Sequence, residues 1–230
     1  MASGELIHKQ PEVIPKLEPG DRLSRDVFRQ RYAAMPECKK AELIEGIVYM
    51  PSPVRLTNHG EPHFQLITWL GVYLASTPIA RGADNATNRL DLENEPQPDC
   101  MLFIRPERGG QVSISSDDYV VGPPEFVAEV SGSSVAYDRG PKLRTFLRHG
   151  VKEYLLWRVE DDRFEWYSLC GTNYIQLQPR MGSILCSEVF PGLWLDFHAM
   201  LAGNLAKVLE VLQQGIASPE HQHFMELHQR

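Results

Sequence analysis

The apolar and polar positions divide the chain into short apolar runs that are separated by polar turns. The densest run, residues 124–130 (PEFVAEV), predicts a strand buried on both faces, because Glu129 is the one acid in its apolar part. In strand geometry the side chain of Glu129 points away from the face shared by Ala128 and Val130. A buried carboxylate without a partner costs several kcal/mol, so Glu129 requires a metal ion, a cationic side chain or a proton.

The same reading predicts a mixed sheet flanked by helices in one domain, an α/β fold. The predicted helices cover residues 24–34, 62–74, a segment capped by Asp138 and ended by Gly150, and 198–213. The predicted strands cover residues 42–50, 87–92, 98–104, 125–130, 153–159, 163–169, 174–177 and 183–186. The segments 153–159 and 163–169 are expected to form a hairpin.

The chain of 230 residues suits one domain with tails. Residues 1–20 are polar and contain three prolines, which predicts a mobile arm. The domain is expected to span residues 21–214, and residues 215–230 are expected to form a polar tail.

Composition narrows the class of protein. The net charge of −7 argues against a general, histone-like affinity for nucleic acids. A local exception is residues 138–152, where five basic residues oppose one acid and could hold a phosphate backbone. The four cysteines are scattered, and the N-terminus lacks the apolar block of a signal peptide, so we expect reduced thiols and a cytoplasmic protein. The apolar segment 63–80 is interpreted as a core helix, and no membrane partner is expected.

Three residues carry the candidate chemistry. Asp99 follows Pro98 at the start of an apolar run, and Lys142 lies 13 residues after Glu129. Two carboxylates and a lysine are the components of a metal-dependent phosphodiesterase. Magnesium, or manganese in its place, binds through one or two carboxylates and activates water.

Several segments resemble the Uma family, a branch of the restriction-endonuclease-like PD-(D/E)XK superfamily of endonucleases. They are AELIEGIVYMPSP, the region of His59, QPDCMLFI, PPEFVAEVSGSS, YDRGPKLRTFLRHGVKEYLLW and SEVFPGLWLDF, and they extend from residue 23 to about residue 201. The resemblance implies a restriction-endonuclease-like fold with acids gathered at one edge of the sheet. The superfamily lysine, two residues after the second acid, is Ser131 here, and the resemblance implies that Lys142 replaces it.

The expected ligands are the side chains of Asp99 and Glu129 and the carbonyl oxygen of Val130. Lys142 would stabilise charge on the phosphate or orient the attacking water. Glu42 could hold a second ion or a metal-bound water, with Glu45 on the opposite strand face as the competing choice.

Other interpretations of these residues stay open. Glu129 and Lys142 could form a purely structural ion pair. His59 and His63 are interpreted as helix-start or core histidines, and the serines Ser131, Ser133 and Ser134 as a loop that caps backbone groups.

Three functions follow. The first is a Mg²⁺- or Mn²⁺-dependent DNA endonuclease, with a homodimer expected because two symmetric sites suit double-strand cleavage. The second is a degenerate nuclease fold that serves as a nucleic-acid-binding or assembly module. The third, a serine hydrolase using the SGSS loop, lacks the G-x-S-x-G elbow.

Overall fold

The computed structural model describes residues 13–51 and 53–227. Its helices are α1 (Arg25–Ala33), α2 (Glu61–Ala75), α3 (Val135–Tyr137), α4 (Leu143–His149), α5 (Phe197–Leu201), α6 (Leu205–Ile216) and α7 (Pro219–Leu227). Its strands are β1 (Glu42–Ile44), β2 (Ile47–Tyr49), β3 (Ala80–Asp84), β4 (Asn88–Arg89), β5 (Cys100–Ile104), β6 (Ser113–Ile114), β7 (Val120–Val121), β8 (Phe126–Ser131), β9 (Glu153–Arg158), β10 (Arg163–Cys170), β11 (Asn173–Gln176), β12 (Ile184–Cys186) and β13 (Trp194–Asp196). Wider π-helical turns cover Leu56–Gly60 and Asp138–Lys142.

A six-stranded mixed sheet, in the order β11-β10-β9-β8-β5-β3, forms the centre of the molecule. Strands β8 and β9 are parallel, and the other neighbours in this sheet are antiparallel. A parallel pair needs a crossover connection, which here is the helical segment from α3 to α4. The predicted mixed sheet flanked by helices is confirmed, as is the hairpin of β9 and β10.

Strand β8 has an apolar core on each face, as its sequence predicted. Ala128 and Val130 belong to the larger core, where Trp69 of α2 meets Trp166 edge-to-face. Val127 belongs to a second core on the other face, together with Phe146 of α4. Burying each large apolar side chain contributes about 1.5–3 kcal/mol, so both cores fix the position of β8.

The segment 42–50, predicted to be one strand, is a hairpin of β1 and β2. Glu45 and Gly46 form its turn with φ angles of 53° and 72°. Two successive positive φ values match the twist of tight antiparallel hairpins, and glycine adopts them without steric cost. The turn prevents Glu45 from facing the other side of a continuous strand.

The short strand β4, which lies within the predicted strand 87–92, pairs with β7 in a separate three-stranded sheet and not with β5. Its place beside β5 in the main sheet is taken by β3, which the sequence reading missed. The helix after β8 begins at Val135, so Asp138 lies within the helical segment instead of capping it. The two differences in strand pairing arise because tertiary packing, and not the local sequence, determines which strands pair.

The termini also differ from the prediction. The helix predicted at residues 198–213 is two helices, α5 and α6, with Asn204 accepting a hydrogen bond from the backbone N–H of Lys207. The segment 215–230, predicted to be a polar tail, contains α7, which buries His221 and Phe224.

Of the predicted arm, residues 1–12 lie outside the described residues, and Leu17 is buried beside Phe28 in a third core under the β1–β2 hairpin. Among the described residues, no helix is long and apolar enough to cross a membrane.

Candidate active site

Asp99 and Glu129 meet where the N-terminal end of β5 adjoins β8. Antiparallel pairing of Cys100 with Ala128 sets this register, so the preceding Asp99 lies opposite the following Glu129. The backbone N–H of Val130 donates to Oδ2 of Asp99 at 2.9 Å, and the N–H of Asp99 lies 3.4 Å from Oε2 of Glu129. Both carboxylates are buried. Strand pairing therefore holds two acids, 30 residues apart in sequence, side by side.

Lys142 joins the two acids from the helical segment that follows β8. Its Nζ lies 2.7 Å from Oε1 of Glu129, although out of line for a hydrogen bond, and 3.0 Å from Oε1 of Glu42. Oδ1 of Asp138 is 4.0 Å away, and the lysine side chain is only 2% exposed. Lys142 lies in the π-helical turn that contains Pro141, whose missing N–H suits a widened turn.

Glu42 reaches the site from β1, whereas Glu45 does not. The carboxylate of Glu42 accepts a hydrogen bond of 2.6 Å from the backbone N–H of Gln97, and its Oε2 lies 3.4 Å from the hydroxyl of Tyr137. Glu45, in the hairpin turn, pairs with Arg144 at 3.4 Å and with Arg148 at 3.6 Å. The structure thus brings Glu42, but not the competing Glu45, to Lys142.

Lys40 and His59, which the sequence reading did not assign to the site, flank Asp99. The Nζ of Lys40 is 3.0 Å from Oδ1 of Asp99, and Nε2 of His59 is 3.1 Å from Oδ2. The spacing of Lys40 and Glu42, two residues apart, places them on one side of an extended chain and was the available signal. His63, from the first turn of α2, lies 3.1 Å from the carbonyl oxygen of Asp99.

Two serines at and after the end of β8, Ser131 and Ser134, bond to one another and, through Ser134, to Asp138. The hydroxyls of Ser131 and Ser134 are 3.1 Å apart, and that of Ser134 donates to Oδ2 of Asp138 at 2.5 Å. Ser134 makes no side-chain bond to the helix it precedes, so the predicted capping role is wrong for this residue. Among the described residues, no histidine hydrogen-bonds to these serines.

Charges in the site do not balance. If every group is counted in its ionised form, the four buried carboxylates of Glu42, Asp99, Glu129 and Asp138 exceed the two ammonium groups of Lys40 and Lys142 by two negative charges.

The pKa shifts have the direction that such an imbalance predicts. Burial raises the pKa of Glu129, and the charge of Asp99 adds to the effect although Lys142 opposes it. Burial lowers the pKa of Lys142, but the charges of Glu129 and Glu42 outweigh it and the net shift is upward. Asp99 differs, because the hydrogen bond from His59 and the charge of Lys40 outweigh burial and hold its pKa well below the usual range. Except at Asp99, the site favours additional positive charge.

The donor set fits a divalent cation. Among the described residues, no group of three or more His, Cys, Asp or Glu side chains is placed to hold a metal ion. Mg²⁺ does not need such a group, because it binds through one or two carboxylates and keeps several waters. Asp99 and Glu129 are two adjacent carboxylates, and the backbone of Val130 adjoins them through the hydrogen bond from its N–H to Asp99.

Comparison with known proteins agrees with this architecture. A solved structure described as "a putative nuclease belonging to DUF820", from Anabaena variabilis ATCC 29413, is similar with a TM-score of 0.50 and 14% identity. The match covers 80% of this chain and 97% of that chain, and it confirms the restriction-endonuclease-like fold. No curated protein matches the chain. The model of the Uma2 family, described as "Putative restriction endonuclease", matches residues 27–198. Because this match covers most of the chain, the protein belongs to the Uma2 family.

Proposed function

We propose that this protein is an endonuclease that hydrolyses phosphodiester bonds of DNA with the help of a divalent cation. The observation that carries the proposal is the convergence of Asp99, Glu129 and Lys142, with Nζ of Lys142 2.7 Å from Glu129 and the N–H of Val130 2.9 Å from Asp99. Membership of the Uma2 family supports a nuclease role. The DNA substrate and the divalent cation are inferred from the chemistry of the site.

Asp99, Glu129 and the carbonyl of Val130 would hold Mg²⁺ or Mn²⁺. When bound, such an ion supplies a water of lowered pKa and neutralises charge on the phosphate. The protein keeps the two carboxylates oriented, because Asp99 is fixed by a backbone N–H and Glu129 by an ammonium group. Preorganised ligands of this kind avoid the cost of reorganisation during the reaction.

Lys142 and Glu42 have complementary roles in this proposal. Lys142 orients Glu129 and the attacking water and stabilises charge that develops on the phosphate. Glu42 is a positioning residue, because its oxygens already receive Lys142, the N–H of Gln97 and the hydroxyl of Tyr137. Glu42 therefore holds Lys142 in place and needs no ion of its own.

DNA would approach Asp99 from the side where the partly exposed side chains of Lys40 and His59 lie. The basic stretch 138–152 contributes less than its sequence suggested, because its arginines pair with acids: Arg139 with Glu165, and Arg144 and Arg148 with Glu45. A homodimer would place two such sites on the two strands of a duplex, and we retain it as part of the proposal.

The test is cleavage of supercoiled plasmid by the purified protein with Mg²⁺ or Mn²⁺, with a chelator as the blank. The wild type should nick or linearise the plasmid, and Glu129→Gln should lower the rate at least as much as the roughly 10–100-fold that loss of an outer-shell partner of a metal costs. The matched control is Glu125→Gln on the same chain segment. Glu125 is equally buried, but its carboxylate accepts bonds from the backbone N–H groups of Ile104 and Gln111.

Cleavage that survives in Glu129→Gln, or a wild type inactive with both ions, would contradict the proposal. Loss of cleavage in Glu125→Gln as well would indicate damage to folding instead of chemistry.

A second candidate is a binding module of the same fold without turnover. It is favoured by the protein cations that already occupy both carboxylates, Lys40 at Asp99 and Lys142 at Glu129. DNA binding in the presence of a chelator, equal in wild type and Glu129→Gln and never followed by cleavage, would identify it.

A further inference from the structure

Lys40 differs from Lys142 in its access to solvent. The side chain of Lys142 is 2% exposed and is held between Glu129 and Glu42, whereas that of Lys40 is 21% exposed. A sealed lysine cannot leave its partners without unfolding the segment that carries it. A lysine at the rim can exchange its partner by rotating its flexible stem.

The contacts of Asp99 are divided between its two oxygens. Oδ2 receives the backbone N–H of Val130 at 2.9 Å and faces Nε2 of His59 at 3.1 Å. Oδ1 receives the ammonium group of Lys40 at 3.0 Å. One oxygen is therefore fixed by the fold, whereas the contact to the other comes from a movable side chain.

Lys40 also has an alternative partner close by. Its Nζ donates to Oδ1 of Asn85 at 3.0 Å, and Asn85 is an exposed residue just after β3. The backbone N–H of Asn85 donates to the carbonyl of Asp99 at 3.2 Å, which keeps this amide beside the site. Lys40 can thus give up Asp99 and retain a hydrogen bond at the opening of the site.

We propose that Lys40 is a built-in counter-cation of Asp99, which leaves Oδ1 when a divalent cation binds and then faces the substrate phosphate from the rim of the site. The inference rests on the proposed function for its cation and its phosphate. In the resting protein Lys40 offsets part of the excess negative charge of the four buried carboxylates. Once displaced, it adds a solvent-accessible ammonium group to the buried one of Lys142.

The first test measures binding of Ca²⁺ by calorimetry in the absence of DNA. Ca²⁺ takes oxygen ligands as Mg²⁺ does. Lys40→Met keeps the apolar stem but removes the competing charge, so the dissociation constant should fall about tenfold, which corresponds to about 1.4 kcal/mol. The matched control is Lys39→Met, which removes the same charge from the exposed neighbouring residue and should leave the affinity unchanged.

The second test uses the unaltered protein, so it stands even if Lys40→Met fails to fold. An acetylating reagent is applied with and without Ca²⁺, and the modified lysines are counted by mass spectrometry. Acetylation of Lys40 should become several-fold faster with Ca²⁺, while Lys142 stays protected and Lys39 reacts at a constant rate.

Each outcome separates this inference from the proposed function. Equal Ca²⁺ affinity of wild type and Lys40→Met, or unchanged acetylation of Lys40, would overturn the exchange alone. Absence of Ca²⁺ binding in both proteins would overturn the exchange and the cation dependence together. Exchange without plasmid cleavage would leave Lys40 as a counter-cation and refute the nuclease proposal.

Discussion

Replacing Lys142 by methionine tests whether the centre of the site is held by charge. Methionine keeps most of the apolar stem but leaves Glu129 and Glu42 without the ammonium group at 2.7 and 3.0 Å. Removing one partner of a buried ion pair costs about 3–5 kcal/mol, because the remaining charge stays buried without compensation. Since a domain is stable by about 5–15 kcal/mol, Lys142→Met should lose a large part of its free energy of unfolding.

Urea unfolding followed by tryptophan fluorescence measures this loss, because Trp69 and Trp166 are buried in the main core. The control Lys207→Met removes an exposed lysine paired with Glu210 at 3.0 Å and should cost less than about 1 kcal/mol.

A double mutant separates the ion pair from simple packing. Glu129→Gln removes one of the two carboxylates that Lys142→Met leaves unpaired, so the double variant should be more stable than the two separate losses predict. Contacting residues show such coupling at about 0.5–3 kcal/mol. Strict additivity, or a cost of Lys142→Met no greater than that of Lys207→Met, would refute the view that charge holds this site.

Three further changes test the packing of α2, α6 and α7. Gly215→Ala in α6 should destabilise the protein by about 1–3 kcal/mol in urea unfolding, because the added Cβ would lie 2.3 Å from the carbonyl oxygen of Gly192. Gly71→Ala in α2 meets no atom within 4 Å and should instead stabilise by about 0.5–1 kcal/mol, so equal effects of the two alanines would contradict the predicted clash. Burial lowers the pKa of His221 below its ordinary 6.5, although a backbone hydrogen bond opposes the shift. Just below pH 6.5 the unfolded chain therefore binds more protons than the folded one, and the free energy of unfolding should fall as the pH drops through that value. The fall should be smaller in His221→Gln. Parallel pH profiles of the free energy of unfolding in wild type and variant would exclude His221 as the cause.

Local sequence patterns determined much of the architecture. The apolar run around Glu129 identified the central strand and its two buried faces, since alternation of side chains is a property of any strand. The helical spacing of apolar residues in a segment without charged side chains identified α2. The polar turn residues between two apolar runs identified the hairpin of β9 and β10. The same run singled out Glu129 as a carboxylate that needs a partner, because a charge inside apolar sequence has a free-energy cost wherever the strand lies.

Only the tertiary structure decided which residues meet. Asp99 adjoins Glu129 through the register of β5 on β8, and Lys142 reaches both Glu129 and Glu42 because the crossover segment packs over the sheet. Lys40 gave no local signal beyond its two-residue spacing from Glu42, since a lysine before a strand is ordinarily exposed to solvent. Strand pairing and helix packing join segments 30 to 100 residues apart, and their energies depend on contacts that no local pattern contains. The central strand and its buried acid could therefore be read from the sequence, whereas the contacts that Lys142 and Lys40 make with the two acids required the fold.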